Sequence, residues 1–365
     1  MKIKYYKNLD GVRAIAALMV MVFHFFQHVE PSTKLLNILT QVSVFGQTGV
    51  TLFFVLSGFL ITRILLDTKE TTGYFKNFYL RRTLRIFPLY YLFLVISYYV
   101  IPLIVNTPFG AFNQQIFYFT YLQNFAITFN WDSVGPVHFW SLAVEEHFYL
   151  FWPVVVYLFS SKNLARVIIG IVVGALLLRI FMLNNGYGVF YFTFTRFDSL
   201  AIGALLAIAE LRNSFTKENA KKFLFLFGSI SIPTILMWTY FMGEGNIYIQ
   251  VYKYLFISGI YFSLIGFLLC IRIDHPLNLV LRTRFFSYTG KISYGIYVYH
   301  PLARATCSSF LDTDNLVLSF FIIMMTNYLM AALSFHLFES LFLRLKKHFE
   351  YSRTKPTQLV MNENS

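Results

Sequence analysis

Charge is scarce along this chain. Of its 365 residues only 13% are Asp, Glu, Lys or Arg, where a soluble domain carries about 25%, so a water-solvated globule is excluded. No polar block between the apolar runs is long enough to fold as a soluble domain of its own. Cysteine is nearly absent. Cys270 and Cys307 each lie in or beside an apolar run and lack metal-ligand spacing, which leaves no basis for a disulfide framework or a zinc site. Also missing are a Ser nucleophile elbow, an HExxH pair and a dinucleotide-binding Gly fingerprint, so serine hydrolase, zinc protease and dinucleotide chemistry find no support. No metal is expected.

What is present is apolar surface. Hydrophobic residues make up 57% of the chain, with 43 Phe and 25 Tyr, and runs of about 20 residues, long enough to cross a bilayer, recur from end to end. They lie near residues 9–28, 46–66, 86–105, 139–159, 164–183, 197–210, 222–242, 250–271, 285–303 and 316–343. The expected fold is all-α, a polytopic membrane bundle of about ten transmembrane helices. It occupies residues 1–345 and is followed by a polar tail, 346–365, expected to be disordered. The stretch 114–130 is aromatic but short and rich in Gln, Asn and Thr, which suits a re-entrant or interfacial segment better than a span.

The formal net charge is +13. In a soluble protein this would raise nucleic acid as a partner; here the cations lie mostly between spans, where topology and contact with anionic membrane lipids explain them. With the N-terminus in the cytoplasm, 22 of the 30 Lys and Arg fall on the inner side and four on the outer. Ten spans return the C-terminus to the cytoplasm, whereas a span at 114–130 would invert every later loop and spoil that bias. The first residues look like a signal peptide, but the apolar run continues past any cleavage site and holds Arg13, so it is read as a retained helix.

Ionisable residues inside such spans cost about 2.5–3.5 kcal/mol each at the bilayer centre and so mark candidate sites. Arg13 and His24 share the first span. Eleven steps of about 100° bring them within about 20° of one helix face, with a rise of about 16 Å between them. A snorkelling Arg and a packed His would give the same pattern. Arg82 and Arg85, with Arg81 beside them, lie three apart in FYLRRTLRIFPLYY and can share a helix face as a phosphate clamp, unless they are only topology anchors. Glu145 and Glu146 are adjacent carboxylates in an aromatic stretch and need partners; His138 and His147 beside them suit packing or interface positions. Arg196 and Asp198 stand where a span begins, each placed to pair with another helix, and His300 precedes Pro301 at the outer end of the ninth span. Gly49, Ser57 and Gly58 suit close helix packing rather than phosphate binding, since the P-loop pattern is missing.

Read in order, LDGVRAIAALMVMVFHF, GVTLFFVLSGFLIT, FYLRRTLRIFPLYY, FWSLAVEEHFYLFWP, TRFDSLAIGALLA and KISYGIYVYHPL resemble the motifs of the acyltransferase-3 family. These are integral membrane acyltransferases of bacteria that modify surface polysaccharides, lipopolysaccharide and related glycolipids. The resemblance spans residues 9–302. It implies a helical bundle in the bacterial inner (cytoplasmic) membrane that moves an acyl group, usually acetyl, from cytosolic acyl-CoA to a hydroxyl of a glycan or glycolipid. The family's Arg-to-His signature falls on Arg13 and His24, its RxxR motif on Arg82 and Arg85, its acidic position on Glu145 with Glu146 beside it, and its RxD segment on Arg196 and Asp198. Some members carry a fused extracytoplasmic hydrolase-like domain. The sequence in hand stops shortly past its last span, so the expectation is action alone or with a separate extracytoplasmic partner.

The resemblance implies that His24 acts as general base on the acceptor hydroxyl or as an acyl carrier, positioned by Glu145, with Arg13 stabilising negative charge. Arg82 and Arg85 would hold the CoA phosphates. Glu146, Arg196, Asp198 and His300 are supporting or structural candidates. The alternative is a transporter or flippase that uses the buried His, Glu and Arg as a proton or substrate pathway.

Overall fold

The structure, a computed structural model, describes residues 5–240, 246–310 and 315–353. Ten main helices cover the apolar runs: α1 (Lys7–Phe26), α2 (Gly49–Thr68), α3 (Tyr74–Val95), α4 (Trp140–Leu158), α5 (Ser161–Asn184), α6 (Phe197–Leu211), α7 (Lys217–Tyr240), α8 (Ile247–Cys270), α9 (Arg284–Phe310) and α10 (Leu316–Ser334). The chain is an all-α, multi-pass membrane bundle. Among the described residues, seven helical segments are long and apolar enough to cross a membrane, and α4, α6 and α9 are not among them. The reason is length for α6 and polar load for α4 and α9. α6 has only 15 residues and includes Asp198; α4 carries Glu145, Glu146 and His147; α9 carries Arg284, Lys291, His300 and Arg304. Packed among the other helices, Glu145, Asp198 and Arg304 find partners that lipid cannot offer.

Glycines set the closest crossings. α2 and α6 share one of the most extensive contacts of the bundle. A Cβ on Gly58 would strike the Leu200 carbonyl, and one on Gly203 the Val55 carbonyl, so the two backbones touch through a reciprocal pair of small residues. Gly203→Leu is expected to force them apart at a cost of about 1–3 kcal/mol. The check is a lower unfolding temperature in detergent, with Gly228→Ala, which projects into open space, as the neutral control.

Three features depart from, or refine, the expectations. First, α3 starts at Tyr74, ahead of the apolar run, so Arg81, Arg82 and Arg85 lie within the helix rather than in a loop. Second, 114–130 forms two short helices, Phe112–Phe119 and Gln123–Thr128, broken where Tyr121 takes a φ of 60°. Two of its amides are buried and donate to backbone: Gln123 to the Phe139 carbonyl, and Asn124 to those of Trp140 and Tyr191. Third, the expected tail is ordered through Arg353. Lys346–Phe349 makes a 3₁₀ turn, and a two-residue strand, Thr71–Thr72 (β1), pairs antiparallel with Ser352–Arg353 (β2). Arg81 Nη1 donates to the Lys346 and Phe349 carbonyls at 2.9 and 3.2 Å. Backbone carbonyls hold this segment, and a polar sequence gives no sign of them; residues 354–365 lie outside the described residues.

Candidate active site

Three adjoining chambers follow one another along α1. The first, of 330 Å³, sits where α1 and α3 begin and is lined by Arg13, Arg63, Arg81, Arg82, Arg85 and Lys346, with Asp10 the one carboxylate. Arg13 pairs with Asp10 at 3.3 Å and Arg63 with Glu210 at 2.6 Å. Arg82 and Arg85 have no ion pair among the described residues; the Arg82 guanidinium instead lies 5.1 Å from the Tyr149 ring centroid. Guanidiniums in such excess over carboxylates make an anion site, and their forked donors match phosphate oxygens. Tyr351 also lines this chamber, its ring 5.9 Å from the Arg81 guanidinium. Burial lifts the Tyr351 phenol above its ordinary pKa, against the pull of Arg81 and Arg82, so it keeps its proton.

Arg13, Arg82 and Arg85 also line the second chamber, a space of 90 Å³ bounded by Ser57 on α2, Ser141, Glu145 and Tyr149 on α4, and Tyr294 and Tyr297 on α9. Glu145 interacts with the Ser57 hydroxyl and the Tyr149 phenol, in the field of Arg82 and Arg13. Glu146 is not part of this lining, and one of its carboxylate oxygens is buried without a hydrogen-bond partner among the described residues.

The third chamber, at the far end of α1, measures 1140 Å³. Three imidazoles meet in it. The His24 and His300 rings stack with centroids 4.6 Å apart, and His138 meets His300 edge-on at 5.1 Å. Pro301 sets this arrangement: having no N–H, it cannot donate to the Tyr297 carbonyl four residues back, and His300 Nδ1 donates to that carbonyl instead, at 2.6 Å. Because carbonyls only accept, His300 carries its proton on Nδ1, and His138, bonded from Nε2 to the Val298 carbonyl at 3.1 Å, carries its own on Nε2. Arg304 Nη1 secures the end of α1 by donating to the His24 and Phe25 carbonyls at 3.0 and 3.2 Å. Gln250, Lys253 and Asn327 add polar groups, and Phe93, Trp140 and Tyr191 add aromatic faces. Such a wall can hold a polyhydroxylated ligand by hydrogen bonds and ring contact.

The structure therefore separates Glu145 from His24. Glu145 lines the middle chamber and His24 the outer one, where the His24 ring contacts Phe23 and His300. The rise of α1 is the cause: Arg13 and His24 share a face but stand about 16 Å apart along the axis, and Glu145 packs at the level of Arg13. Arg196 and Asp198 line none of the three chambers. Asp198 pairs with Arg179 of α5, both side chains 0% exposed, and Arg179 also donates to the carbonyls of Thr195 and Val251. Arg196 lies 4.0 Å from the Tyr254 ring centroid and 5.6 Å from that of Trp140, with Nη2 on the Thr51 hydroxyl at 3.0 Å.

Sequence patterning misses three residues here. Arg179 carries the same signal as Arg13, a cation inside an apolar run. Tyr297 carries none, and His138, whose sequence suits a packing or interface position, lines the outer chamber beside His24 because the fold brings the turn Val137–Phe139 against α9 there.

A family model described as an acyltransferase domain matches residues 6–335. Among curated proteins, the chain is 29% identical over 367 residues to the peptidoglycan O-acetyltransferase OatA of Listeria monocytogenes, a match that covers 92% of this chain and 56% of that protein. It is 28% identical over 370 residues to a putative O-acetyltransferase of Staphylococcus aureus, covering 93% of this chain and 58% of the other. A third match, to the O-acetyltransferase OatA of S. aureus, is 28% identical over 363 residues and covers 92% and 57%. The chain thus spans less than three fifths of the length of these relatives. No solved structure matches.

Proposed function

Because this chain belongs to the acyltransferase-3 family, we propose that it is an O-acetyltransferase of the bacterial inner membrane, moving an acetyl group from cytosolic acetyl-CoA to a hydroxyl of a glycan or lipid-linked glycan on the outer side. Both termini would face the cytoplasm, as the distribution of Lys and Arg favours. The observation that carries this reading is the placement of Arg82 and Arg85 at one end of a run of adjoining chambers and of His24 at the other. The relatives named as O-acetyltransferases, one of them for peptidoglycan, support an acetyl donor and a glycan acceptor.

In this scheme the CoA phosphates lie against Arg82 and Arg85, with Arg81 adding positive charge, and the thioester arm extends past Arg13 towards the outer chamber. The acceptor hydroxyl attacks the thioester carbonyl there. As the new carbon–oxygen bond forms, His24 takes the hydroxyl proton and the carbon–sulfur bond breaks, releasing CoA thiolate. His300, stacked on His24, and Arg304, bonded to the His24 carbonyl, are positioning residues. Glu145 serves the arginines of the middle chamber and not the His24 imidazole.

The donor site is tested by Arg85→Gln. Loss of one charge-assisted hydrogen bond of about 1.5 kcal/mol corresponds to about a tenfold rise in KM for acetyl-CoA, with kcat changed less. An unchanged KM would remove the phosphates from this chamber. The activity itself is tested with purified protein, labelled acetyl-CoA and an N-acetylglucosamine oligomer: free CoA and labelled oligomer are expected together, and formation of neither rejects the reading.

A further inference from the structure

The family match ends at residue 335, and the chain beyond it returns to the arginine chamber, where it is held through its backbone. Arg81 Nη1 donates to the Lys346 and Phe349 carbonyls, Asn77 Nδ2 donates to the Glu350 carbonyl at 3.1 Å, and β2 pairs with β1 immediately afterwards. These attachments bracket Tyr351. Its hydroxyl interacts with that of Thr68, the last residue of α2, and its ring lines the chamber with Arg13, Arg81, Arg82 and Arg85. The lining is therefore mixed in chemistry. Guanidiniums alone suffice for phosphate; this chamber adds aromatic faces, from Tyr351 and, near the start of the sequence, from Tyr5, whose hydroxyl is taken up by Asp10. Phosphates fit the guanidinium forks and a nucleobase fits the rings, because every base has a π-face that stacks on an aromatic side chain. The chamber volume of 330 Å³ falls within the range of small-ligand sites.

We propose that Tyr351 is a donor-binding residue whose ring stacks on the purine of acetyl-CoA while Arg82 and Arg85 take the phosphates. The proposal rests on the acetyltransferase reading and deepens it, since it makes the segment 346–353 part of the donor site. Arg81 then has two tasks. Its Nη1 holds the Lys346 and Phe349 carbonyls, which places the segment, and its guanidinium lies 5.9 Å from the Tyr351 ring centroid, which sets positive charge beside the stacking face. Stacking needs no hydrogen bond from the phenol, and the Tyr351 hydroxyl is engaged with Thr68, so the ring and not the oxygen is the recognising group.

The experiment uses the full chain in proteoliposomes, with acetyl-CoA as donor, an N-acetylglucosamine oligomer as acceptor, and two competitors: adenosine 3′,5′-bisphosphate, which carries a purine, and pyrophosphate, which does not. Tyr351→Ala is expected to raise the KM for acetyl-CoA and the Ki of adenosine 3′,5′-bisphosphate by about tenfold, with kcat and the Ki of pyrophosphate at their native values. Tyr351→Phe keeps the ring and leaves every constant native. Tyr351→Leu keeps an apolar side chain without a π-face; it behaves as Tyr351→Ala does and carries the test if that variant does not fold. A native KM in both the alanine and the leucine variants overturns the stacking role. So does an equal rise in the Ki of pyrophosphate, which would mean that Tyr351 only shapes the chamber. Either result leaves the acetyltransferase reading standing, whereas absence of transfer by native protein overturns both.

Discussion

His24→Gln loses at least about a hundredfold in acetyl-transfer turnover, the low end of what a positioned general base contributes, while reaching the membrane at the native level. The two parts of this outcome have separate causes. Glutamine retains polar atoms and approximate size, and the half-buried ring it replaces faces a chamber and not the lipid, so the fold has little reason to change. What glutamine cannot do is take a proton from the acceptor hydroxyl. The measurement is initial rate against acetyl-CoA concentration at saturating acceptor, normalised to protein in the membrane. A fall in kcat with KM for acetyl-CoA retained is the expected signature, because the donor phosphates are placed at the opposite end of α1. Undiminished kcat would show that His24 is not the base.

The largest stability effect is expected away from the chambers, at the Arg179–Asp198 pair. Both side chains are wholly buried. Arg179→Met leaves the Asp198 carboxylate without its counter-ion, and breaking one partner of a buried pair costs about 3–5 kcal/mol. The variant should show a much lower unfolding temperature in detergent and a reduced yield of folded protein. The double variant Arg179→Met with Asp198→Leu should recover part of that loss, because the carboxylate left bare by Arg179→Met is gone. Recovery is partial because the carbonyls of Thr195 and Val251, to which Arg179 donates, stay without that donor. A double variant no better than Arg179→Met alone would mean that Arg179 acts through those carbonyls and not through Asp198.

How legible the protein was in its sequence follows from what each feature depends on. Span positions depend on local composition, and all ten apolar runs are helical over most of their described residues; α6 fails as a free-standing span because it is short, and α4 and α9 because they carry polar groups. The closeness of Arg82 and Arg85 depends on helical periodicity alone, so a three-residue spacing was enough to place them together. The phase relation of Arg13 and His24 was equally readable, and so was their separation in depth. The partner of His24 was not readable, since stacking against His300 requires α1 and α9 to meet and Pro301 to free a carbonyl for the His300 ring. Glu145 looked like the natural partner for a catalytic imidazole, yet its depth puts it with the arginines. The ordered segment 346–353 was hidden for a similar reason: Arg81 and Asn77 hold it through backbone carbonyls, and carbonyls are the same in every sequence.

The central claim is that donor and acceptor are served from opposite faces of one bundle. Sealed proteoliposomes test it most directly, with labelled acetyl-CoA supplied only on the face of Arg82 and Arg85 and an N-acetylglucosamine oligomer trapped on the face of the His24 chamber. The account predicts labelled oligomer on the His24 side while CoA remains on the arginine side. Intact acetyl-CoA crossing the membrane with no transfer, or transfer only when both substrates share a face, would contradict it.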